Sequence, residues 1–423
     1  MDEPFRVSVS GLAPGTPVTI RATTRDGGLR AWASDATFVA GDDGMVDVGG
    51  AEPVCGTYTG VDPCGLLWSM RPTERRPHTF FVRRKAAPLM VSVAAEVDGT
   101  EVAACVVERT FGGQAVGRRV ADSAGLVGDL FFPAAGGAHP GVMVVSGSDG
   151  GQLDHAASLL AAHGYAVLSL GYFGVEDRPA HLHHIDLGYF EQALAWMAAQ
   201  PEVAGDRISV VGLSRGGELA LQLGSMFPEV AAVVAGSPSG IRQAGLTHQS
   251  SDYTKPAWTY GGKALPYVPA RFNLHRFVQF YSVFLLRRPL RLRPTFERLL
   301  RKRDLVAAAT IEVERINGPV LLVSGTEDQL WPSQRFAELV LARLRAHDHP
   351  YPDEHLSYAG AGHFLCFPYG LPGMPPMTRM SPVPVITMDF GGTPAANAAA
   401  ARDSWAEILR FLTAVPSVPK RDL

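Results

Sequence analysis

Near Asp129 the hydrophobic pattern of this 423-residue chain changes its period. Before that point, short alternating runs recur: Phe5 to Val9, Val18 to Ala22, Thr37 to Ala40, Phe80 to Val82, Met90 to Val97 and Val102 to Arg109. Turn sequences separate them, among them Pro14-Gly15, Asp26-Gly27-Gly28 and Asp98-Gly99. A period of two with frequent turns predicts an antiparallel β-sandwich of immunoglobulin-like type. Beyond Asp129, solid apolar runs alternate with helical stretches. Gly141 to Val145, Tyr165 to Leu170, Arg207 to Val211 and Pro319 to Ser324 read as buried strands. Ala156 to His163, Leu187 to Gln200, Gln334 to Ala346 and Ala395 to Thr413 read as helices. Strand and helix in alternation require a mostly parallel, doubly wound sheet covered on both faces. The expected organisation is therefore α/β: a β-sandwich over residues 1–122, then a catalytic domain over 123–423. Residues 241–316 interrupt the alternation for too long to be a simple crossover, and are expected to form a mostly helical cap.

Composition narrows the class of function. Hydrophobic residues make up 46% of the chain and charged residues 19%, a globular balance. The net charge of −3 supplies no field to draw nucleic acid or an anionic membrane. The most apolar stretch, Phe277 to Leu286, is half the length a bilayer span needs and reads as cap core or as the lining of an acyl pocket. The start, Met1-Asp2-Glu3-Pro4, has no leader-like pattern. The four cysteines, Cys55, Cys64, Cys105 and Cys366, show no metal or redox spacing, so a reduced cytoplasmic protein is expected.

The chemistry is concentrated in the second half. Gly212-Leu213-Ser214-Arg215-Gly216 fits G-x-S-x-G, entered by Ile208-Ser209-Val210-Val211 and left by the helical run from Glu218 to Leu223. Strand, sharp turn and helix in that order form the nucleophile elbow of α/β-hydrolases. The flanking glycines are needed because the turn brings backbones too close for a Cβ. A serine hydroxyl needs a base, and the base an orienting acid, in the chain order Ser, Asp or Glu, His. Asp328, in the turn Gly325-Thr326-Glu327-Asp328 after a late strand, is the candidate acid, with Glu327 the alternative carboxylate. His363, in the loop Gly360-Ala361-Gly362-His363, is the candidate base, ahead of His347, His349 and His355, which lie among charged residues and prolines.

An oxyanion hole needs two backbone N–H donors. Arg215 N–H is the first, and the loop Ser146-Gly147-Ser148-Asp149-Gly150-Gly151 supplies the second, from Ser148 or, as second choice, Gly147. Between Arg287 and Arg303 lie eight basic residues against the single acid Glu297. A solvated helix face is the plain reading. The functional one is a patch for substrate phosphates, with Arg287, Arg288 and Arg291 foremost. His181-Leu182-His183-His184 suggests a metal motif but has no distal ligands at metal spacing, so a loop leading into a helix is expected. No cofactor is required.

These residues also match a family. The chain resembles the acyl-CoA thioesterase / bile acid–CoA:amino acid N-acyltransferase family over nearly its whole length. The resemblance rests on Gly65-Leu66-Leu67-Trp68-Ser69-Met70, on Gly147-Ser148-Asp149-Gly150-Gly151 and on the elbow extended to Gly217-Glu218-Leu219. Ala361-Gly362-His363 and Phe390-Gly391-Gly392-Thr393-Pro394 are similar too. It implies a Ser214/Asp328/His363 triad acting on acyl-CoA thioesters, with a small-molecule acyl thioester or ester as substrate. The family's amino-acid transferases typically carry cysteine at the nucleophile, so Ser214 favours hydrolysis. Transfer of the acyl group to an amine or alcohol, and hydrolysis of an oxygen ester or lactone, are the alternatives.

Overall fold

The computed structural model describes residues 1–74, 80–83, 85–121, 125–246, 254–269, 281, 283, 285–286, 288–383 and 386–416. The first sheet is antiparallel. Its long strands are β1 (Pro17–Arg25), β2 (Ala31–Val39), β3 (Leu89–Val97) and β4 (Thr100–Arg109), in the order β2-β1-β3-β4. Burial alternates residue by residue along β1 and β2, as a half-buried pleated strand demands. The second layer is a short ladder, Ser8–Val9 against Val46–Asp47. It is completed by the buried turn Gly65–Trp68, whose Leu66, Leu67 and Trp68 share one core with Val18, Ile20 and Phe38.

Phe80 to Val82 is not a strand, contrary to its alternating pattern. Its backbone is held instead by a buried Asp26. The Asp26 Oδ2 accepts the Val82 N–H at 3.4 Å, Gly27 N–H donates to Val82 O at 2.8 Å, and Arg30 Nη2 donates to Phe80 O at 3.1 Å. Side-chain partners have taken the place of a ladder.

Among the described residues, the second sheet has eight strands: β5 (Val116–Val120), β6 (Val127–Pro133), β7 (His139–Val145), β8 (Ala166–Gly171), β9 (Val203–Leu213), β10 (Val230–Gly236), β11 (Val320–Gly325) and β12 (Glu354–Tyr358). The order is β12-β11-β10-β9-β7-β8-β6-β5. Neighbours from β12 through β8 run parallel, while β6 pairs antiparallel with both β8 and β5. The chain is thus an α/β-hydrolase sheet behind a β domain.

Among the described residues, the helices that position the site are α1 (Asp154–Ala161), α2 (Gly188–Ala199), α3 (Arg215–Met226), the cap pair α4 (Arg293–Leu299) and α5 (Arg303–Ala309), α6 (Ser333–Ala346) and α7 (Pro394–Thr413). Helix α7 begins where Pro394 follows Thr393, whose side chain accepts the Ala396 N–H. The strands send alternate residues to the two faces. Val142, Val144, Val211 and Val323 meet α1 and α7 through Leu159, Trp405 and Ile408. Met143, Val145, Val210 and Leu322 meet α2, α3 and α6 through Phe190, Leu219 and Val340. The first of these cores runs without a break into the β domain. Asp2 on the β-domain side accepts Trp405 Nε1 at 2.7 Å, and Asp62 pairs with Arg402 at 2.9 Å.

The described part of the cap holds sheet as well as helix. Trp258–Tyr260 forms a strand against Ile185–Asp186, so the segment after the histidine run is sheet, built at the rim. Of the apolar stretch 277–286, residues 277–280, 282 and 284 lie outside the described residues; Val283 is buried and Tyr281, Leu285 and Leu286 are exposed.

Candidate active site

Ser214 sits between β9 and α3 with φ 62° and ψ −121°, a backbone conformation that costs a non-glycine residue strain and recurs at functional turns. The local sequence makes this possible. A Cβ on Gly212 would collide with the Gly216 carbonyl, and one on Gly216 would lie 2.7 Å from Ser146 O. The turn therefore closes only with glycine at both positions, and it leaves the first N–H of α3, that of Arg215, without a partner inside the helix.

Asp328 and His363 are both fully buried. His363 Nδ1 and Asp328 Oδ2 are 2.7 Å apart. The other carboxylate oxygen accepts the N–H groups of Leu330 at 2.9 Å and Trp331 at 3.2 Å. Glu327, the alternative acid, points into solvent. The His363 loop is tied down on three sides. His363 N–H donates to Phe390 O at 2.9 Å, Ser237 Oγ donates to His363 O at 2.6 Å, and Gly362 N–H donates to Asn397 Oδ1 at 2.7 Å. The imidazole lies edge-on to Trp331 and Phe364, with ring centres 5.7 and 4.9 Å away. Its Nε2 is buried and has no hydrogen-bond partner among the described residues. Ser214 and His363 are seated at the same strand end: Ser214 N–H donates to Gly236 O at 2.8 Å, one residue before Ser237. The other candidate bases are engaged elsewhere, His349 with Asp353 at 2.7 Å and His355 with Ser324 at 2.8 Å.

The loop after β7 corrects one expectation. The Gly147 N–H is already used, donating to the Tyr369 hydroxyl at 2.7 Å, so it is no free oxyanion donor. The Tyr369 hydroxyl in turn donates to Asp149. Burial and the Asp149 charge push the Tyr369 phenol well above its ordinary range, so it stays a neutral donor. Ser148, the first-choice donor, lines the cavity that Ser214 also lines.

That cavity, of about 600 Å³, is lined by Ser214, Arg215, Gly147 and Ser148 at its base. Its walls draw on distant parts of the chain, among them Phe80 to Arg83, the cap residues Leu290, Leu292 and Phe296, the segment from Met374 to Met380, and α7. The cap cations named for a phosphate patch are placed as follows. Arg287 lies outside the described residues, Arg288 is exposed, and Arg291 pairs with Asp389 at 2.9 Å. Neither Arg288 nor Arg291 lines the cavity. Arg293 is turned to the acid loop, donating to the carbonyls of Thr326 at 2.9 Å and Asp328 at 3.2 Å. No group of three or more His, Cys, Asp or Glu suited to a metal occurs among the described residues, and no described helix is long and apolar enough to cross a membrane.

The Arg215 side chain folds inward, not toward solvent. Nη1 donates to Glu218 at 2.8 Å, Nη2 to Gln243 O at 3.2 Å, and the guanidinium lies 5.7 Å from the Trp258 ring centre. Glu218 also accepts Trp258 Nε1 at 2.8 Å. Burial raises the Glu218 carboxyl above its ordinary range, against the opposing pull of Arg215 and Trp258. The pair ties α3 to the cap. Tyr369, Asn397 and the Arg215–Glu218 pair were not legible as site residues, because each is defined by a partner distant in the chain or by burial.

Residues 2–121 match the acyl-CoA thioester hydrolase/BAAT N-terminal region, and residues 185–415 match the BAAT / acyl-CoA thioester hydrolase C-terminal model. The chain belongs to the acyl-CoA thioester hydrolase/BAAT family. It is 32% identical over 424 residues to peroxisomal succinyl-coenzyme A thioesterase of Mus musculus, covering 97% of this chain and 93% of the relative. It is 31% identical over 420 residues to acyl-coenzyme A thioesterase 1 of Homo sapiens, with 97% and 93% covered. Among solved structures it is similar to a Pyrobaculum calidifontis esterase at 17% identity and a TM-score of 0.43, over 72% of this chain and 88% of the other.

Proposed function

We propose that this family member hydrolyses acyl-CoA thioesters to free acid and CoA through an acyl-enzyme on Ser214. The observation that carries the reading is the buried His363–Asp328 bond, which leaves Nε2 as the ring's one uncommitted nitrogen, the ring packing against Trp331 and Phe364, which line the cavity that Ser214 also lines. With Nδ1–H given to a carboxylate, the imidazole is held as the tautomer whose Nε2 accepts a proton.

In the proposed sequence, His363 Nε2 takes the Ser214 proton as Oγ attacks the thioester carbonyl. The N–H groups of Arg215 and Ser148 receive the oxyanion. The C–S bond breaks, and the CoA sulfur leaves with the proton held on His363. Water then gives a proton to His363 as it attacks the acyl-enzyme, and that proton returns to Ser214 Oγ as the acid departs. Relatives named as acyl-coenzyme A thioesterases support the substrate class.

The test is turnover of a panel of acyl-CoA thioesters by the purified protein, with trapping by a serine-reactive fluorophosphonate. Ser214→Ala is expected to abolish labelling and to lower kcat by several orders of magnitude, with an unchanged melting temperature. Turnover equal to wild type in that variant overturns the reading.

A further inference from the structure

The walls of the Ser214 cavity are almost wholly apolar, with Leu290, Leu292, Phe296, Met377, Met380 and Met388 facing it. Among its described lining residues, three carry a full charge: Arg83, Asp149 and Arg215. Two are already satisfied. Asp149 accepts the Tyr369 hydroxyl, and Arg215 is bonded to Glu218. Arg83 is different. Its guanidinium makes no hydrogen bond or ion pair among the described residues, and its Nε is buried without a partner. Burial holds its pKa below the ordinary arginine value, and Asp26 only partly opposes this.

A half-buried cation without a counter-ion is costly to keep in an apolar wall. Nor is Arg83 on a loose loop. Its strip of chain is fastened to the β domain by the Asp26–Val82, Gly27–Val82 and Arg30–Phe80 bonds, and the Phe81 ring packs edge-on against Trp32 at 5.1 Å. The β domain thus presents one anchored guanidinium to the cavity that holds the nucleophile. A guanidinium offers paired N–H donors in the geometry of a carboxylate.

We propose that Arg83 recognises a carboxylate carried on the acyl group, so that preferred substrates are thioesters of acids with a second carboxyl group. This rests on the thioesterase reading. The one unpaired cation among the described lining residues balances a monoanion. The several phosphate charges of CoA would be left mostly uncompensated there, with Asp149 adding repulsion, so the nucleotide belongs outside.

The experiment compares thioesters of ω-carboxylic acids, in a series of increasing chain length, with thioesters of the matching monocarboxylic acids. Each acid is presented both on CoA and on N-acetylcysteamine, which carries no phosphate. The readout is the ratio of kcat/KM within each pair, so any loss of folded protein cancels. Wild type is expected to favour the ω-carboxyl member at one chain length on both carriers. Arg83→Met is expected to lower that ratio by about 10- to 100-fold on both carriers, and Arg83→Lys to retain part of it.

A ratio that Arg83→Met leaves unmoved on both carriers overturns the proposal. So does an unmoved ratio accompanied by a KM that rises for every CoA substrate and for no N-acetylcysteamine substrate, since the guanidinium would then be meeting phosphate. If wild type turns over no thioester of either kind, the thioesterase reading itself has failed. Turnover of both members with no preference sinks only the role of Arg83.

Discussion

The Tyr369 hydroxyl accepts the Gly147 N–H at 2.7 Å across 222 residues of chain, and it donates to Asp149 two residues further on. One phenol therefore fixes the turn on which Ser148 N–H is presented. Tyr369→Phe removes the acceptor and leaves a buried N–H unpaired. The expected result is a kcat lower by about 10-fold with KM nearly constant, because the loop's donor acts on the transition state. Steady-state kinetics on one acyl-CoA substrate provide the check, with thermal melting to separate a loss of fold. A rise in KM alone would show that the phenol shapes the pocket and not the oxyanion loop.

The acid assignment divides two adjacent carboxylates. Asp328→Asn should lower kcat by about 10⁴-fold, since an amide cannot hold the imidazole in the required tautomer. Glu327→Gln should stay within about twofold of wild type, because that side chain is exposed. Reversed effects would move the acid to Glu327.

Arg215 and Glu218 form a buried pair at the start of α3, next to Ser214. Arg215→Met leaves the Glu218 carboxylate buried and unpaired, with an expected loss of about 3 kcal/mol in unfolding free energy. The loss should depend on pH. Burial raises the folded-state pKa of Glu218 above its unfolded value. The folded state then binds the proton more tightly, so stability is fully present below the unfolded pKa and is lost as pH rises through the folded value. Removing Arg215 raises the folded value further. The gap between variant and wild type should therefore widen from acid toward neutral pH in urea melts. A gap that is constant over that range would mean lost packing and not charge.

Serine stands where the family's amino-acid transferases typically carry cysteine. Ser214→Cys should raise the fraction of amide formed in the presence of glycine or taurine, since a thioester intermediate is more reactive toward amines than an oxygen ester is. Mass spectrometry of the amide-to-acid ratio reads this out. An unchanged ratio would place the determinant in the cap, and mainly amide from the wild type would make the protein an acyltransferase.

Much of the site was written locally. Gly212 and Gly216 announce a turn that no side chain tolerates, and the strand before it and the helix after it are legible from their periods. The same holds for the parallel strands, whose apolar runs admit no other environment. The strand Val230–Gly236 carried the same signal and was missed, as was Glu354–Tyr358, which has no such run. Phe80 to Val82 shows the opposite failure: an alternating pattern whose hydrogen bonds went to Asp26 and Arg30.

The sequence by itself therefore determined which backbone turns exist and which side chains sit on them: Ser214, Asp328 and His363 each lie on a loop whose glycines and flanking strand demand it. The tertiary structure alone decided how those loops are used. It spent the Gly147 N–H on Tyr369, chose the buried Asp328 over the exposed Glu327, turned Arg215 inward to Glu218, and set Arg83 of the β domain in the cavity wall while Arg288 and Arg291 of the cap stayed off it. The physical reason is range. Steric demands of a turn act over a few residues, whereas the pairing of a buried donor or charge depends on which distant groups the packed core brings within hydrogen-bonding distance.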